Sequence, residues 1–257
     1  MIPAERRQRL LDLISEQGTA TIADLSNIFS VSEMTIHRDL KYLETSGHVV
    51  KTYGGVIANH SKLETDYERR LQINIESKKI IGKAAANLIE DGDSILIDAC
   101  TTTFAMLPEL TSKKNLTVFS TGVSASNYLA RFYNIELYST GGLVINDTDS
   151  YAGVTTINFL KNIHVDKCFI GAAGVRAPYG ITDLFQPIVE VKQYSAAAAN
   201  EVIVLADHSK FGRIIKFNIL PFSEIDLIIT DADKETPSVN DILKLGVEIL
   251  FVEPNHT

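Results

Sequence analysis

The sequence predicts an α/β protein in two units: a small helical unit closed by a β-hairpin, then a larger one built on a parallel sheet. Three observations carry this. Apolar residues recur at helical spacing in successive runs up to Ser46, and the period changes to two at His48-Val49-Val50-Lys51-Thr52-Tyr53. From Lys78 onward, amphipathic runs alternate with short apolar runs. With 257 residues, 45% of them hydrophobic and 22% charged, the chain is long enough for both units and too apolar for extensive disorder.

In the first unit, Leu10, Leu11, Leu13 and Ile14 form an apolar stripe bordered by Arg6, Arg7, Arg9 and Gln17, a first helix that Gly18 ends. Thr21 is the expected N-cap of a second helix, with Ile22, Leu25 and Phe29 on its apolar face. Ser30-Val31-Ser32 is a tight connection. Ser32 then caps a third helix that runs to about Ser46, where Gly47 stops it. In this helix Ile36, Leu40 and Leu43 must face the first two helices, which turns Met34, Arg38, Lys41 and Thr45 outward, with Thr35 and His37 flanking them. Hydroxyl, imidazole, guanidinium and ammonium groups gathered near a helix start can bond base edges in the major groove and the phosphates beside it. The free N–H groups of the helix start also favour a phosphate. Helix, tight turn, helix is the helix-turn-helix arrangement. The strand His48–Tyr53, the pair Gly54-Gly55 and the strand Val56-Ile57 predict a hairpin wing from which Lys51 and Tyr53 reach the DNA.

Residues 59–76 read as a linker between units at 1–58 and 77–257. Ala58 to Thr65 is expected to be a polar hinge and Asp66 to Ile75 a segment packed on the second unit; Arg69 and Arg70 serve as linker salt-bridge residues or as DNA contacts.

Beyond the linker, Lys78–Glu90 is an amphipathic helix and Ser94–Ala99 a strand. Phe104–Leu110 (helix), Leu116–Phe119 (strand), Val123–Phe132 (helix), Ile135–Tyr138 (strand) and Tyr151–Lys161 (helix) follow. Lys167–Ile170 (strand), Pro187–Ala199 (helix) and the strands Glu201–Ala206, Leu227–Thr230 and Val247–Val252 complete the reading. This alternation predicts a Rossmann-like parallel sheet covered on both faces, with a ligand site at the carboxyl ends of its strands. The strand-to-helix loops there are Asp98 to Thr103, Ser120 to Ser124, Ser139 to Gly142, Gly171 to Gly174 and Asp207 to Gly212. Hydroxyls and free N–H groups at helix starts cradle a phosphate. Lys210 adds a positive charge, and Asp98 can accept bonds from sugar hydroxyls. Turn chemistry alone explains any one such loop, since Gly, Ser and Thr are common in turns. Their shared edge points to a small phosphorylated polyol.

The net charge of -8 gives no support to nucleic-acid binding, and the first 58 residues hold six Lys/Arg against seven Asp/Glu, so that reading rests on where the charges fall. Cys100 and Cys168 lack the spacing of a metal knuckle or a disulfide framework, and no metal or cofactor is expected. No run can span a bilayer, and the N-terminus lacks the core and cleavage site of a signal peptide, so a cytoplasmic protein with no membrane partner is expected.

Ser32-Glu33-Met34-Thr35-Ile36-His37-Arg38-Asp39-Leu40, Leu43-Glu44, Gly47 and Tyr53-Gly54-Gly55-Val56 together resemble the DeoR family of bacterial transcriptional regulators. That family typically reads Ser-Glu-x-Thr-Ile-Arg-Arg-Asp-Leu, so His37 stands where relatives carry arginine. Arginine holds a guanine bidentately and histidine does not, which changes the operator or the salt dependence expected of this chain. The resemblance implies DNA contacts at Thr21, Ser32, Met34, Thr35, His37, Arg38, Lys41, Lys51 and Tyr53. It also implies an effector domain related in fold to ribose-5-phosphate isomerases and the CoA-transferase-like group. In that domain Thr101, Thr102 and Thr103, with Ser120, Thr121 and Gly122, hold phosphate, and Asp98, Gly171, Ala172, Gly174 and Lys210 surround the sugar, with Gly141 and Gly142 on the same edge. Glu190 and Lys192 match a family pattern nearby or only face solvent on a helix. The isomerases carry acids in an Asp-Gly-Ala-Asp loop; Gly171-Ala172-Ala173-Gly174 has none, which fits binding without turnover.

The expected function is a repressor of a carbohydrate-catabolism operon that binds double-stranded operator DNA as a homo-oligomer, dimer or tetramer, and is relieved by a phosphorylated sugar, with no catalytic residue. The alternatives are a sugar-phosphate isomerase-like enzyme fused to a DNA-binding unit, or an activator.

Overall fold

The computed structural model describes residues 2–58 and 66–253. In the first unit, helix α1 (Pro3–Gln17) begins with proline in its first turn, where the missing N–H costs nothing, and ends at Gly18, whose φ of 76° an L side chain resists. Strand β1 (Thr19–Thr21), helix α2 (Ile22–Phe29), helix α3 (Glu33–Thr45) and the hairpin β2 (Val49–Thr52) and β3 (Gly55–Ala58) follow. β3 pairs antiparallel with both β1 and β2. Gly55 makes this close pairing feasible, because a Cβ there would meet the Ala20 carbonyl oxygen at 2.7 Å. The core is Leu10, Ile14, Leu25, Ile36 and Leu40, all fully buried. The three expected helices and the wing are present; β1 was not foreseen, since Thr19-Ala20-Thr21 is too short to display a period.

The expected hinge at 59–65 lies outside the described residues. Helix α4 (Tyr67–Gln72) and helix α5 (Ile75–Asn87) come next, and the boundary between the two compact units falls between Arg70 and Leu71, within α4. The segment Asp66 to Ile75, expected to pack as a whole on the second unit, therefore divides, with Asp66 tied to His48 of the first.

The second unit runs β4 (Ser94–Ile97), α6 (Thr101–Phe104), α7 (Leu107–Leu110), β5 (Leu116–Ser120), α8 (Val123–Leu129), β6 (Ile135–Ser139), β7 (Leu143–Ile145), β8 (Ser150–Ala152), α9 (Val154–Leu160) and β9 (Val165–Gly171). It continues with β10 (Gly174–Arg176), β11 (Gly180–Asp183), α10 (Gln186–Ala197), β12 (Ala199–Leu205), β13 (Phe217–Leu220), β14 (Leu227–Thr230), α11 (Pro237–Leu243) and β15 (Ile249–Phe251). The main sheet has the order β15-β14-β12-β9-β4-β5-β6, and every adjacent pair is parallel. Successive strand residues feed opposite cores. Ile95, Ile97, Phe169, Ile203 and Leu205 pack with α5, α7 and α8, whereas Leu96, Cys168, Ile170, Val202 and Val204 pack with α9 and α10. This is the doubly covered parallel sheet the alternation predicts.

Two local expectations are corrected, and one small sheet was not foreseen. Residues 104–110 are not one helix: Thr101–Phe104 and Leu107–Leu110 are separate turns, the second with Pro108 in its first positions. Tyr151–Lys161 is not helical throughout. β8 occupies its start, and Gly153, at φ 85°, turns the chain into α9. Residues 174–183 and 217–220 form a small antiparallel sheet in the order β10-β11-β13.

Candidate nucleic-acid interface and ligand crevice

The α2–turn–α3 geometry is built by local capping. Thr21 Oγ1 accepts the Asp24 N–H at 3.1 Å and donates to Asp24 Oδ2 at 2.6 Å. Ser30 ends α2 in the left-handed region, and the Val31 N–H returns to the Ser26 carbonyl at 3.2 Å, closing the turn. Ser32 Oγ caps α3 by accepting the Thr35 N–H at 3.3 Å. Met34 is 71% exposed; His37, Arg38 and Lys41 are exposed too, and among the described residues none of them pairs with a carboxylate. The outward face is thus a set of unengaged donors beside an apolar tip. Tyr53 stands fully exposed at the wing turn, where Gly54 takes φ 84°. Lys51 lies 3.4 Å from Glu44 and is half-buried against it, while Thr21 and Ser32 spend their hydroxyls on helix starts.

One residue of this unit escaped the sequence reading. Asp39 is 1% exposed and is clamped by Arg6 Nε at 2.6 Å and Arg7 Nε at 2.9 Å, which ties α1 to α3. Arg7 also lies over the Tyr42 ring, 4.2 Å from its centroid. The signal was present: Asp39 falls between Ile36 and Leu43 on the inward stripe.

In the second unit the chain leaves β4 toward β5 and β6 on one side, and from β9 toward β12, β14 and β15 on the other. The switch therefore falls between β4 and β9, where open parallel sheets form a crevice at their carboxyl ends. Asp98, just past β4, is buried; its Oδ2 accepts the Gly171 N–H at 3.1 Å. Gly171 is required there, since a Cβ would come within 2.1 Å of Cys100 Sγ. Lys192, from α10, reaches under the same point. Its Nζ lies 2.7 Å from Asp183 Oδ2 and 3.3 Å from Asp98 Oδ2, and donates to the Gly171 carbonyl at 2.8 Å. Burial pulls the Lys192 pKa down, but Asp183 and then Asp98 outweigh it, and the pKa stands above the ordinary lysine value. The Cys100 thiol is pushed above the ordinary cysteine value, first by burial and then by the Asp98 charge. Lys192 is buried, which decides against the solvent-facing alternative, while Glu190 is exposed. Helical spacing with Ile188, Val189 and Ala196 was the signal that places Lys192 inward.

The remaining candidates separate by how their polar groups are used. Thr103 Oγ1 donates to the Asp98 carbonyl at 2.8 Å and completes a capping box with Cys100, so it holds the loop. Ser120 Oγ accepts the Gly122 N–H at 3.1 Å, and the Asp149 carboxylate takes the Ser124 N–H and hydroxyl at 2.9 Å, so an internal anion already occupies that helix start. The Thr121 carbonyl accepts the Tyr151 N–H, and the Gly141 carbonyl accepts the Thr156 hydroxyl at 2.6 Å. Gly142 has φ 117° and no room for a side chain, and Gly174 packs against the Arg213 carbonyl at 2.6 Å from its Cβ position. By contrast, the Thr101 and Thr102 hydroxyls make no hydrogen bond among the described residues, and the half-buried Lys210 ammonium meets no carboxylate. Ala172 borders the same edge, half-buried. Asp207, before Lys210, is buried; its Oδ1 accepts from Asn74 Nδ2 at 3.2 Å and from the Ser209 N–H at 2.9 Å, and its Oδ2 finds no donor among the described residues. Among the described residues no group of three or more His, Cys, Asp or Glu could hold a metal ion, and no helix is long and apolar enough to cross a membrane.

Comparison with known proteins agrees with this geometry at both ends of the chain. Residues 6–62 match the DeoR-like helix-turn-helix domain and residues 73–232 the DeoR C-terminal sensor domain. The HTH-type transcriptional regulator GolR of Listeria innocua is 35% identical over 90% of this chain and 91% of its own. YgbI of Escherichia coli, an HTH-type transcriptional regulator, is 34% identical over 98% and 99%, and the HTH-type transcriptional repressor GlcR of Bacillus subtilis 33% over 98% of each. Among solved structures, ribose 5-phosphate isomerase A from Methanocaldococcus jannaschii overlaps 53% of this chain and 54% of its own at 23% identity and a TM-score of 0.39, too loose a likeness to argue from. The chain belongs to the DeoR family of DNA-binding, HTH-type transcriptional regulators.

Proposed function

We propose that this regulator represses a carbohydrate-catabolism operon and releases its operator when a phosphorylated sugar occupies the crevice at the carboxyl ends of β4, β9 and β12. The observation that carries the reading is the pairing of two sets of unengaged donors. Among the described residues, His37, Arg38 and Lys41 on the recognition helix and the side chains of Thr101, Thr102 and Lys210 on the sheet edge have no partner. In this reading Thr35, His37, Arg38, Lys41 and Met34 meet base edges and phosphates, and Tyr53 follows the backbone from the wing. Asp98 and the Gly171–Gly174 loop face the sugar hydroxyls. Residues 1–58 bind DNA, 59–76 link, and 77–257 sense the effector and assemble dimers or tetramers, which a symmetric operator favours. Such a protein works in the cytoplasm. Turnover is not part of the reading, because the Gly171-Ala172-Ala173-Gly174 loop carries no acid and the Asp98 and Asp183 carboxylates beside it are both held by the Lys192 ammonium. The name of the GlcR relative supports repression over activation.

The test starts from a DNA duplex selected out of a randomised pool by the full-length chain. Its affinity is then measured against a panel of pentose 5-phosphates, hexose 1-phosphates and hexose 6-phosphates. At least one is expected to weaken binding by about fivefold to a hundredfold, a coupling of about 1–3 kcal/mol. A panel that leaves the affinity unmoved sinks the effector reading.

A further inference from the structure

Two hydrogen-bonded ties hold the two ends of one short stretch of chain. At its start, Asp66 Oδ1 accepts the Arg69 N–H at 3.0 Å, and its Oδ2 is paired with His48 Nε2. The other nitrogen of that ring, Nδ1, meets Ser46 Oγ at 2.8 Å. Ser46 is the C-cap of the recognition helix α3, and His48 immediately precedes β2 of the wing. Asp66 is therefore anchored where the recognition helix hands over to the wing. At the other end stands Asn74, the N-cap of α5, in the left-handed region at φ 52°, which asparagine tolerates better than most residues. Its Nδ2 donates to Asp207 Oδ1 at 3.2 Å, across 133 residues of sequence. Three residues on, Ser77 hydrogen-bonds Asp231. Asp207 and Asp231 follow β12 and β14, on the carboxyl edge of the sheet. Between the ties lie α4 and a bend at Ile73 and Asn74.

We propose that Asp66–Ser77 is the transmission element of this regulator, with Asn74–Asp207 as its clasp on the sensor and His48–Asp66 as its clasp on the DNA-binding unit. A ligand that repositions the Asp207 loop redraws the first clasp, and α4 carries the change to the second, at the end of the recognition helix. The proposal rests on the effector reading above. Asn74 acts as a positioning residue: it reads the state of the sheet edge and touches neither DNA nor ligand.

Asn74→Gly removes the Nδ2 donor while accepting the positive φ, so the fold is kept. In the full-length chain, the affinity of the selected duplex is measured with and without the same panel of sugar phosphates, and binding of each compound to the protein is followed by calorimetry. The expected result is an operator affinity within about twofold of the wild type and a compound that still binds, with the wild-type response, about fivefold to a hundredfold, cut to less than about twofold. A variant that responds as the wild type does overturns the proposal. If no compound binds the wild type, the effector reading has failed instead, and amide hydrogen exchange on the unliganded chains decides. Asn74→Gly is then expected to raise exchange through residues 67–72 and as far as 46–49. Changes confined to the neighbourhood of Asp207 reject the transmission element.

Discussion

In the winged unit one buried carboxylate, Asp39, is held by two arginines that keep part of their surface in water; in the sensor unit one buried ammonium, Lys192, is held by two carboxylates. The chemistry is the same with the signs exchanged, and the surroundings make the consequences differ. Arg6 and Arg7 are 11% and 27% exposed, so if Asp39 were lost each could turn toward solvent. Asp98 is 1% exposed and pinned by the Gly171 N–H, so it has no such escape. A buried ion pair says little about net stability against an apolar alternative, but breaking one is costly in proportion to how completely the abandoned partner is enclosed. The Asp39 clamp is a brace between α1 and α3; the Lys192 cluster is a strut beneath the crevice.

Three substitutions break or sharpen this contrast. The largest effect is expected of Lys192→Met, which keeps the length of the side chain and strands Asp98 and Asp183. Urea unfolding should show a loss of about 3–5 kcal/mol. A loss under about 1 kcal/mol would mean the crevice floor is not held by this cluster. Asp39→Ala comes next, with a loss of about 1.5–3 kcal/mol, the worth of hydrogen bonds to a charged group. Because the brace seats the recognition helix, operator affinity should fall along with the unfolding midpoint; a midpoint that falls alone would separate the brace from the reading head. The smallest effect on the fold belongs to Arg38→Ala, whose side chain is exposed and pairs with no carboxylate among the described residues: stability within about 0.5 kcal/mol of the wild type, but specific operator binding weakened by about 1–3 kcal/mol. Equal affinity for the selected duplex in gel-shift titration would place the DNA-facing surface elsewhere.

The parts of the molecule that were legible are those whose signal is local. Helix α3 could be read residue by residue because Ile36, Leu40 and Leu43 recur at the helical period and Ser32 and Gly47 mark its ends. The core strands of the main sheet could be read because both faces are buried, which leaves unbroken runs such as Ile95-Leu96-Ile97. The strands β7, β8, β10, β11 and β13 were not legible. They are three or four residues long, and β11 is defined by partners on both sides, one of them β13, more than thirty residues further along. Asp39 and Lys192 carried a signal that could not be used by itself: a charged residue on an apolar stripe reads as an exception until its counter-ions are known.

Local pattern alone was therefore enough to place three helices and a wing, the side chains they turn outward, and a parallel sheet with its glycine- and hydroxyl-bearing loops on one edge; that the third helix reads DNA rested on the particular residues that resemble the DeoR family. These features depend on neighbours within a few residues, where periodicity and capping act. Only the tertiary structure decided which of those loop groups remain unengaged. Thr103 and Ser120 are spent on their own turns and Asp149 fills one helix start, while Thr101, Thr102 and Lys210 are left with no partner among the described residues. A polar group's availability depends on every donor and acceptor within about 3 Å of it, and for a buried group most of those arrive from distant parts of the chain.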